Sequence, residues 1–154
     1  MLFCMNERPV IDRFVGEFRF LSNFYLSIIR FDGVSWPSVE HAYQALKSND
    51  PVTQRMIRMA RTPGDAKKMG KLVVVRPDWE DVKVDVMRRL VWLKFENPFV
   101  RPLLLATEDA ELVECNTWGD VFWGTCGGVG QNMLGKILME TREKARAEEA
   151  EVSL

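Results

Sequence analysis

The sequence predicts an α+β fold, and three observations carry that reading. Strand-like patterns fill the first forty residues, helix patterns with recognisable caps dominate from residue 38 onward, and the two kinds do not alternate strictly along the chain. Phe14, Gly16, Phe18 and Phe20 interleave with Arg13, Val15, Glu17 and Arg19, which reads as a half-buried strand. Residues 27–31 and 34–36 flank Asp32-Gly33, a pair that tolerates positive φ angles, and so predict a tight hairpin closed by Pro37. Ser38 is placed to cap a helix in which Val39, Ala42, Tyr43 and Leu46 share a face. Asp50-Pro51 opens a second helix over 51–61, and Thr62-Pro63-Gly64-Asp65 a third, with Asp65 at the capping-box position. Residues 73–75 suggest a brief strand. Asp78 caps a longer helix carrying Val82, Val86, Leu90 and Leu93 on one face. Asn97-Pro98 ends it and starts another through about Ala106. Residues 111–115 suit a strand, 124–130 form a glycine-rich loop, and Asn132 is placed to cap a last helix through about Lys144.

Composition narrows the function. A chain of 154 residues, 47% hydrophobic and 28% charged, is one domain able to bury its own core. The core is expected over about 14–142, with 143–154 a solvated helix end or frayed tail. The 21 basic and 22 acidic residues leave a net charge of −1, which excludes a general polycation coating duplex nucleic acid. Cys4, Cys115 and Cys126 are odd in number and lack a CxxC spacing, so neither a disulfide framework nor a cysteine zinc site is expected, and free thiols suit a reducing cytoplasm. The first residues are too short and mixed for a secretory signal, and no apolar run reaches a membrane span. His41 is the single histidine. Chemistry here therefore falls to carboxylates, lysine, arginine or aromatic surfaces. No metal or cofactor is expected.

Four features have chemical potential, each beside a plainer reading. On a helix over 38–47, about 100° per residue brings Glu40, Gln44 and Lys47 within about 60° of one another at the edge of the apolar face. They are either solvated charges or a general base beside an amine. Trp79, Trp118 and Trp123 lie near turns, as core plugs or as stacking surfaces for a flat base. Residues 123–132 read as a simple glycine turn or as backbone N–H groups approaching a phosphate. Residues 55–71 carry six basic side chains against Asp65 alone, either a solvated face or a rim that attracts an anionic substrate.

Residues 20–25 (FLSNFY), 38–47 (SVEHAYQALK), 76–83 (RPDWEDVK), 103–114 (LLLATEDAELVE) and the WG…G-N-LG block at 123–135 resemble, in order, the motifs of the NADAR, or YbiA-like, N-glycosidase family. The resemblance spans about residues 14–142. It implies a mostly helical α+β fold with a small antiparallel or mixed sheet. It also implies N-glycosidase activity, either removing ADP-ribose from guanine bases of nucleic acid, single-stranded or flipped out, or hydrolysing ribosyl 5-phosphate intermediates early in riboflavin synthesis. A non-catalytic ADP-ribose or nucleotide-binding module is the remaining alternative. The family's polar positions fall here on Asn23, Glu40, Gln44, Lys47, Trp79, Asp120, Trp123 and Asn132. Lys71 stands where an arginine is common, and the loop 125–129 is shorter and less acidic than in many relatives.

On this reading Glu40 meets the oxocarbenium charge that develops as the C1′–N bond breaks, and Lys47 keeps it ionised. Asp120 is a second acid, in reach of ribose hydroxyls. Asn23, Phe24, Gln44, Gly124 and Asn132 line the substrate, Trp79 and Trp123 hold flat groups, and Arg76 with the N–H groups of Gly127 to Gly130 takes phosphate. Alternatively the Lys47 amine attacks C1′ and forms an imine.

Overall fold

The computed structural model describes residues 8–153, so Cys4 and the first residues of the chain lie outside it. Helices form the bulk of the fold, and the strands are short pairs. The hairpin is as the sequence predicts: β2 (Ile29–Phe31) and β3 (Val34–Trp36) pair antiparallel, Ile29 opposite Trp36. Asp32 and Gly33 both take positive φ at its tip. β1 (Val10–Ile11) pairs parallel with β4 (Glu111–Leu112), and β5 (Cys115–Asn116) pairs parallel with β6 (Thr125–Cys126).

Six helices follow the hairpin: α1 (Val39–Leu46), α2 (Pro51–Arg58), α3 (Pro63–Gly70), α4 (Trp79–Phe95), α5 (Arg101–Leu105) and α6 (Met133–Val152). The cap chemistry of the first three is that read from the sequence. Ser38 Oγ accepts from the His41 N–H, Asp50 from Val52 and Thr53, and Thr62 from Asp65. α1 is the central element, since α2, α3 and α4 all pack on it. Every residue from Val39 to Ala45 is buried, Glu40, His41 and Gln44 among them. His41 is a core group: its Nε2 bonds the Ala60 carbonyl at 3.1 Å and its Nδ1 lies 2.8 Å from Ser38 Oγ. Burial lowers its pKa and keeps it neutral.

Several expectations are corrected. Residues 14–20 are not a strand, because Gly16–Leu21 form a 3-10 helix with Phe20 and Leu21 buried. Among the described residues no strand pairs with this segment, and local bonds such as Phe18 N–H to the Val15 carbonyl satisfy the backbone instead. Residues 73–75 also lack a partner, and Val74 stands exposed. The segment 111–115 splits between two ladders with different partners. α2 ends at Arg58 and α5 begins at Arg101, while α6 runs on to Val152. Asp78 stands at the N-cap of α4 as expected, but its side chain makes no cap bond; its carboxylate holds Arg76 at 2.6 and 2.7 Å. Nor does the Asn132 side chain cap α6, a point taken up below.

Lys94 of α4 is fully buried, with its Nζ donating to the Ser22 carbonyl at 2.8 Å. Burial lowers its pKa to about 7. The unfolded chain then binds more protons than the fold between pH about 7 and 10.5, and stability should rise with pH across that window. In Lys94→Met, chemical denaturation followed from pH 7 to 10 should lose this rise. Ser22 O also accepts from the Tyr25 N–H, so the loss at pH 7 should stay under ~2 kcal/mol.

Candidate functional site

The site is built around the solvent-poor start of α1. Glu40 is 7% exposed, and its Oε1 accepts from Gln44 Nε2 at 2.7 Å one turn along the helix. The Glu40 N–H donates to the Asn23 carbonyl at 3.1 Å, which ties the 22–25 loop to the helix. Asn23 Oδ1 and Gln44 Oε1 are buried with no donor among the described residues. Burial is the largest influence on Glu40 and raises its pKa; the Gln44 bond, then Lys67, then Lys47 pull it down, and Asp120 pushes it up. Lys47 is therefore not the dominant control on Glu40. Its own pKa is lowered, by burial first, against the pull of Glu40.

An aromatic group adjoins this carboxylate. Tyr43 stacks obliquely on Trp79 at 5.1 Å and meets Trp123 edge-on at 5.5 Å, and Lys47 Nζ lies 5.5 Å from the Tyr43 ring. Trp79 is only 4% exposed, so it is a core plug rather than a free stacking surface. The open aromatic faces are instead Phe24 and Trp118, the latter 63% exposed, with Lys67 Nζ at 5.7 and 5.0 Å from their centroids.

The loop from Asp120 to Asn132 closes the other side. Asp120 Oδ1 accepts from the Phe122 and Trp123 N–H groups at 3.0 and 2.9 Å, fixing Trp123 beside Tyr43. Asn116 holds the Asp120 backbone from both sides. Asn132 adopts φ +50 and turns its amide inward, accepting from Glu114 N–H at 3.0 Å and donating to the Leu112 carbonyl at 2.9 Å. The N–H groups of residues 131–134 are all bonded to carbonyls of residues 121–124, so the α6 N-terminus is stitched to its own loop and is not an open anion cradle. Gly124 and Gly130 serve close packing: a Cβ on Gly124 would overlap the Glu114 carbonyl, and one on Gly130 the Gly124 carbonyl. Arg76 is engaged with Asp78, and its N–H donates to the Lys47 carbonyl at 2.7 Å.

The structure thus brings together Asn23, Glu40, Gln44, Lys47, Asp120 and Trp123, with the exposed Phe24 following Asn23 in the 22–25 loop. Sequence reasoning missed two participants. Lys67 was visible only as one of six charges on 55–71, and Glu114 only as part of a motif block. Burial raises the Glu114 carboxyl to about 7, with Asp120 and Glu40 adding to the rise.

A family model described as the NADAR domain matches residues 12–146. The chain belongs to the NADAR family. It is 43% identical over 137 residues to the N-glycosidase YbiA of Escherichia coli K12, a match covering 86% of this chain and 83% of that one. An N-glycosidase of Nostoc punctiforme is 41% identical over 133 residues, covering 81% and 84%. A riboflavin biosynthesis protein of Vibrio vulnificus is 43% identical over 129 residues, which cover 81% of this chain and 35% of the longer protein. The solution structure of E. coli YbiA superposes with a TM-score of 0.84 at 39% identity, over 93% of this chain and 88% of that one. In this NADAR protein no helix of the described residues is long and apolar enough to cross a membrane.

The contact between α1 and α3 gives a direct test of the site's construction. A Cβ on Gly70 would overlap the Gln44 carboxamide, the group that bonds Glu40. Gly70→Ala should lower stability by ~1–3 kcal/mol and reduce turnover together, as read by thermal unfolding and product formation.

Proposed function

We propose that this N-glycosidase cleaves the C1′–N bond between ADP-ribose and a guanine base of nucleic acid, and that Glu40 is the carboxylate facing the ribose as the base departs. The observation that carries the reading is the buried Glu40 carboxylate held by Gln44 beside an aromatic wall. Breaking the bond develops positive charge on C1′, and an anion stripped of water stabilises that charge far more than a solvated one does. A pKa raised by burial also makes Glu40 a stronger base toward the attacking water.

The rim favours a polyanion. Arg55, Arg61, Lys68 and Lys71 are exposed on and beside α2 and α3, and none forms an ion pair among the described residues. Lys67, Trp118 and Phe24 lie between that face and Glu40, a cation with two flat surfaces suited to a phosphate and a base. With Arg76 neutralised by Asp78, the phosphate contact falls to these lysines in this reading. Asp120 keeps one oxygen free for a ribose hydroxyl.

A second reading is supported by the relatives named for riboflavin biosynthesis. In it the substrate is a pyrimidine-type amine joined to ribose 5-phosphate, and the same lysines take the single phosphate. Side-by-side chromatography of products from an ADP-ribosyl-guanine oligonucleotide and from this ribosyl phosphate separates the two. Release of free ADP-ribose from the first supports the primary reading; turnover of the second alone overturns it.

Glu40→Gln should lower kcat by about 10²-fold or more on whichever glycoside is cleaved. Since Glu40 must be ionised and its pKa is raised, the acid limb of the wild-type pH profile should lie above 4.5. The lowered pKa of Lys47 meets the requirement of the imine route. Borohydride added during turnover decides between the routes: a reduced adduct on Lys47 establishes the imine, and normal turnover without an adduct establishes direct attack by water.

A further inference from the structure

Trp118 is left 63% exposed, yet the turn that carries it is firmly held. Asn116 Nδ2 donates to the Asp120 carbonyl at 2.7 Å, and Asn116 Oδ1 accepts from the Asp120 N–H at 3.0 Å. These two bonds close residues 116–120 into a small ring with Trp118 at its tip, and Gly119 at φ +85 makes the reversal. Asp120 Oδ1 in turn fixes Trp123, whose ring meets Tyr43 of α1 edge-on, so the turn is anchored to the helix that carries Glu40. An indole presented to water on a fixed turn is a preorganised stacking surface, because little ordering is left to be done on binding.

The groups between Glu40 and Trp118 come in an order. Lys67 Nζ lies 5.7 Å from the Phe24 centroid and 5.0 Å from the Trp118 centroid. Phe24 follows Asn23, whose carbonyl accepts from the Glu40 N–H. Gly70, one turn along α3 from Lys67, touches the Gln44 amide that bonds Glu40, which puts Lys67 on the side of α3 that faces α1. Lys67 forms no ion pair among the described residues. From Glu40 outward the protein thus presents a carboxylate, an unpaired ammonium and then an exposed flat ring.

A ribose with C1′ at Glu40 and a 5′-diphosphate ending in adenosine presents the matching series: a sugar, an anion, then a flat base. We propose that Trp118 is the adenine-stacking subsite for the ADP arm of the substrate, with Lys67 taking the diphosphate ahead of it, an inference that rests on the ADP-ribosyl reading above. The aglycone side of the bond has a different order, since guanine comes first and the phosphate of the strand follows it. A ribosyl 5-phosphate stops at the ammonium and leaves the indole unused. Trp118 is therefore the residue at which the two candidate substrates part.

Calorimetric titration with ADP-ribose and with ribose 5-phosphate tests the subsite without turnover. Trp118→Ala should weaken ADP-ribose about tenfold or more and ribose 5-phosphate less than twofold. Trp118→Phe should recover most of the loss, because a phenyl ring still stacks. Lys67→Met should weaken both ligands, since both carry phosphate. No loss of ADP-ribose affinity in Trp118→Ala, or an equal loss for the two ligands, overturns the proposal. Kinetics separate adenine from a neighbouring base of the strand. In Trp118→Ala, KM should rise by the same factor on an ADP-ribosyl-guanine nucleoside as on the oligonucleotide, and a rise confined to the oligonucleotide overturns the proposal. Cleavage of the oligonucleotide with ADP-ribose affinity unmoved by Trp118→Ala overturns this subsite alone. Trp118-dependent binding of ADP-ribose without cleavage of either glycoside supports the subsite and overturns the substrate reading.

Discussion

The constraint on which the rest of the site depends is a carboxylate on a helix that has lost its solvent. α1 is short, and three helices pack on it, leaving Glu40 only 7% exposed. Moving an ion out of water costs several kcal/mol even after relaxation, and the surroundings must offset that cost. Here the offset is sparse: one amide from the same helix, then Lys67 and Lys47 at longer range. Glu40 is therefore incompletely satisfied in the free protein. A carbon that becomes cationic beside it supplies what the fold withholds, and interaction that strengthens only in the transition state is what accelerates a reaction.

Close packing holds this arrangement in place. Gly70 lets α3 approach until it touches Gln44, which keeps the amide aimed at Glu40. On the opposite side Gly124 and Gly130 let the closing loop lie against the Glu114 and Gly124 carbonyls, and Gly135 lets the start of α6 lie against the Leu112 carbonyl. Asn132 bridges the two segments with both ends of its amide. The glycines that resemble a phosphate loop in the sequence thus work as spacers, and the backbone donors near them are spent on stitching the loop. In the function proposed above, anion recognition is left to side chains, Lys67 among them.

What was legible in the sequence was local. Ser38, Asp50 and Thr62 announce helix starts because a cap is a bond within three residues, and Asp32-Gly33 announces a turn for the same reason. The stripe of Glu40, Gln44 and Lys47 follows from helical geometry alone. What failed needed a partner distant in the chain. The alternation over 14–20 satisfies a strand pattern, yet no strand among the described residues pairs with it, and Gly16–Leu21 closes on itself as a 3-10 helix. Asp78 looked like a cap and found Arg76 first. The family resemblance located the site's blocks in order, but not the tertiary electrostatics: nothing near Glu40 in sequence reveals that Lys67 matters more to it than Lys47, or that Glu114 and Lys94 enter the same interior from two other elements.

Those four groups form one charge system, and its balance explains why the interior tolerates them. Glu40 and Glu114 are raised by burial while Lys47 and Lys94 are lowered by it, so each group moves toward its neutral form and none is held by a close ion pair among the described residues. Tight salt bridges would instead hold such acids and amines in their charged forms. Charge is thus divided thinly among acids and amines from α1, α4 and the β4–β5 turn, and Lys67 of α3, lying over Trp118, draws both Glu40 and Glu114 back toward their ionised forms.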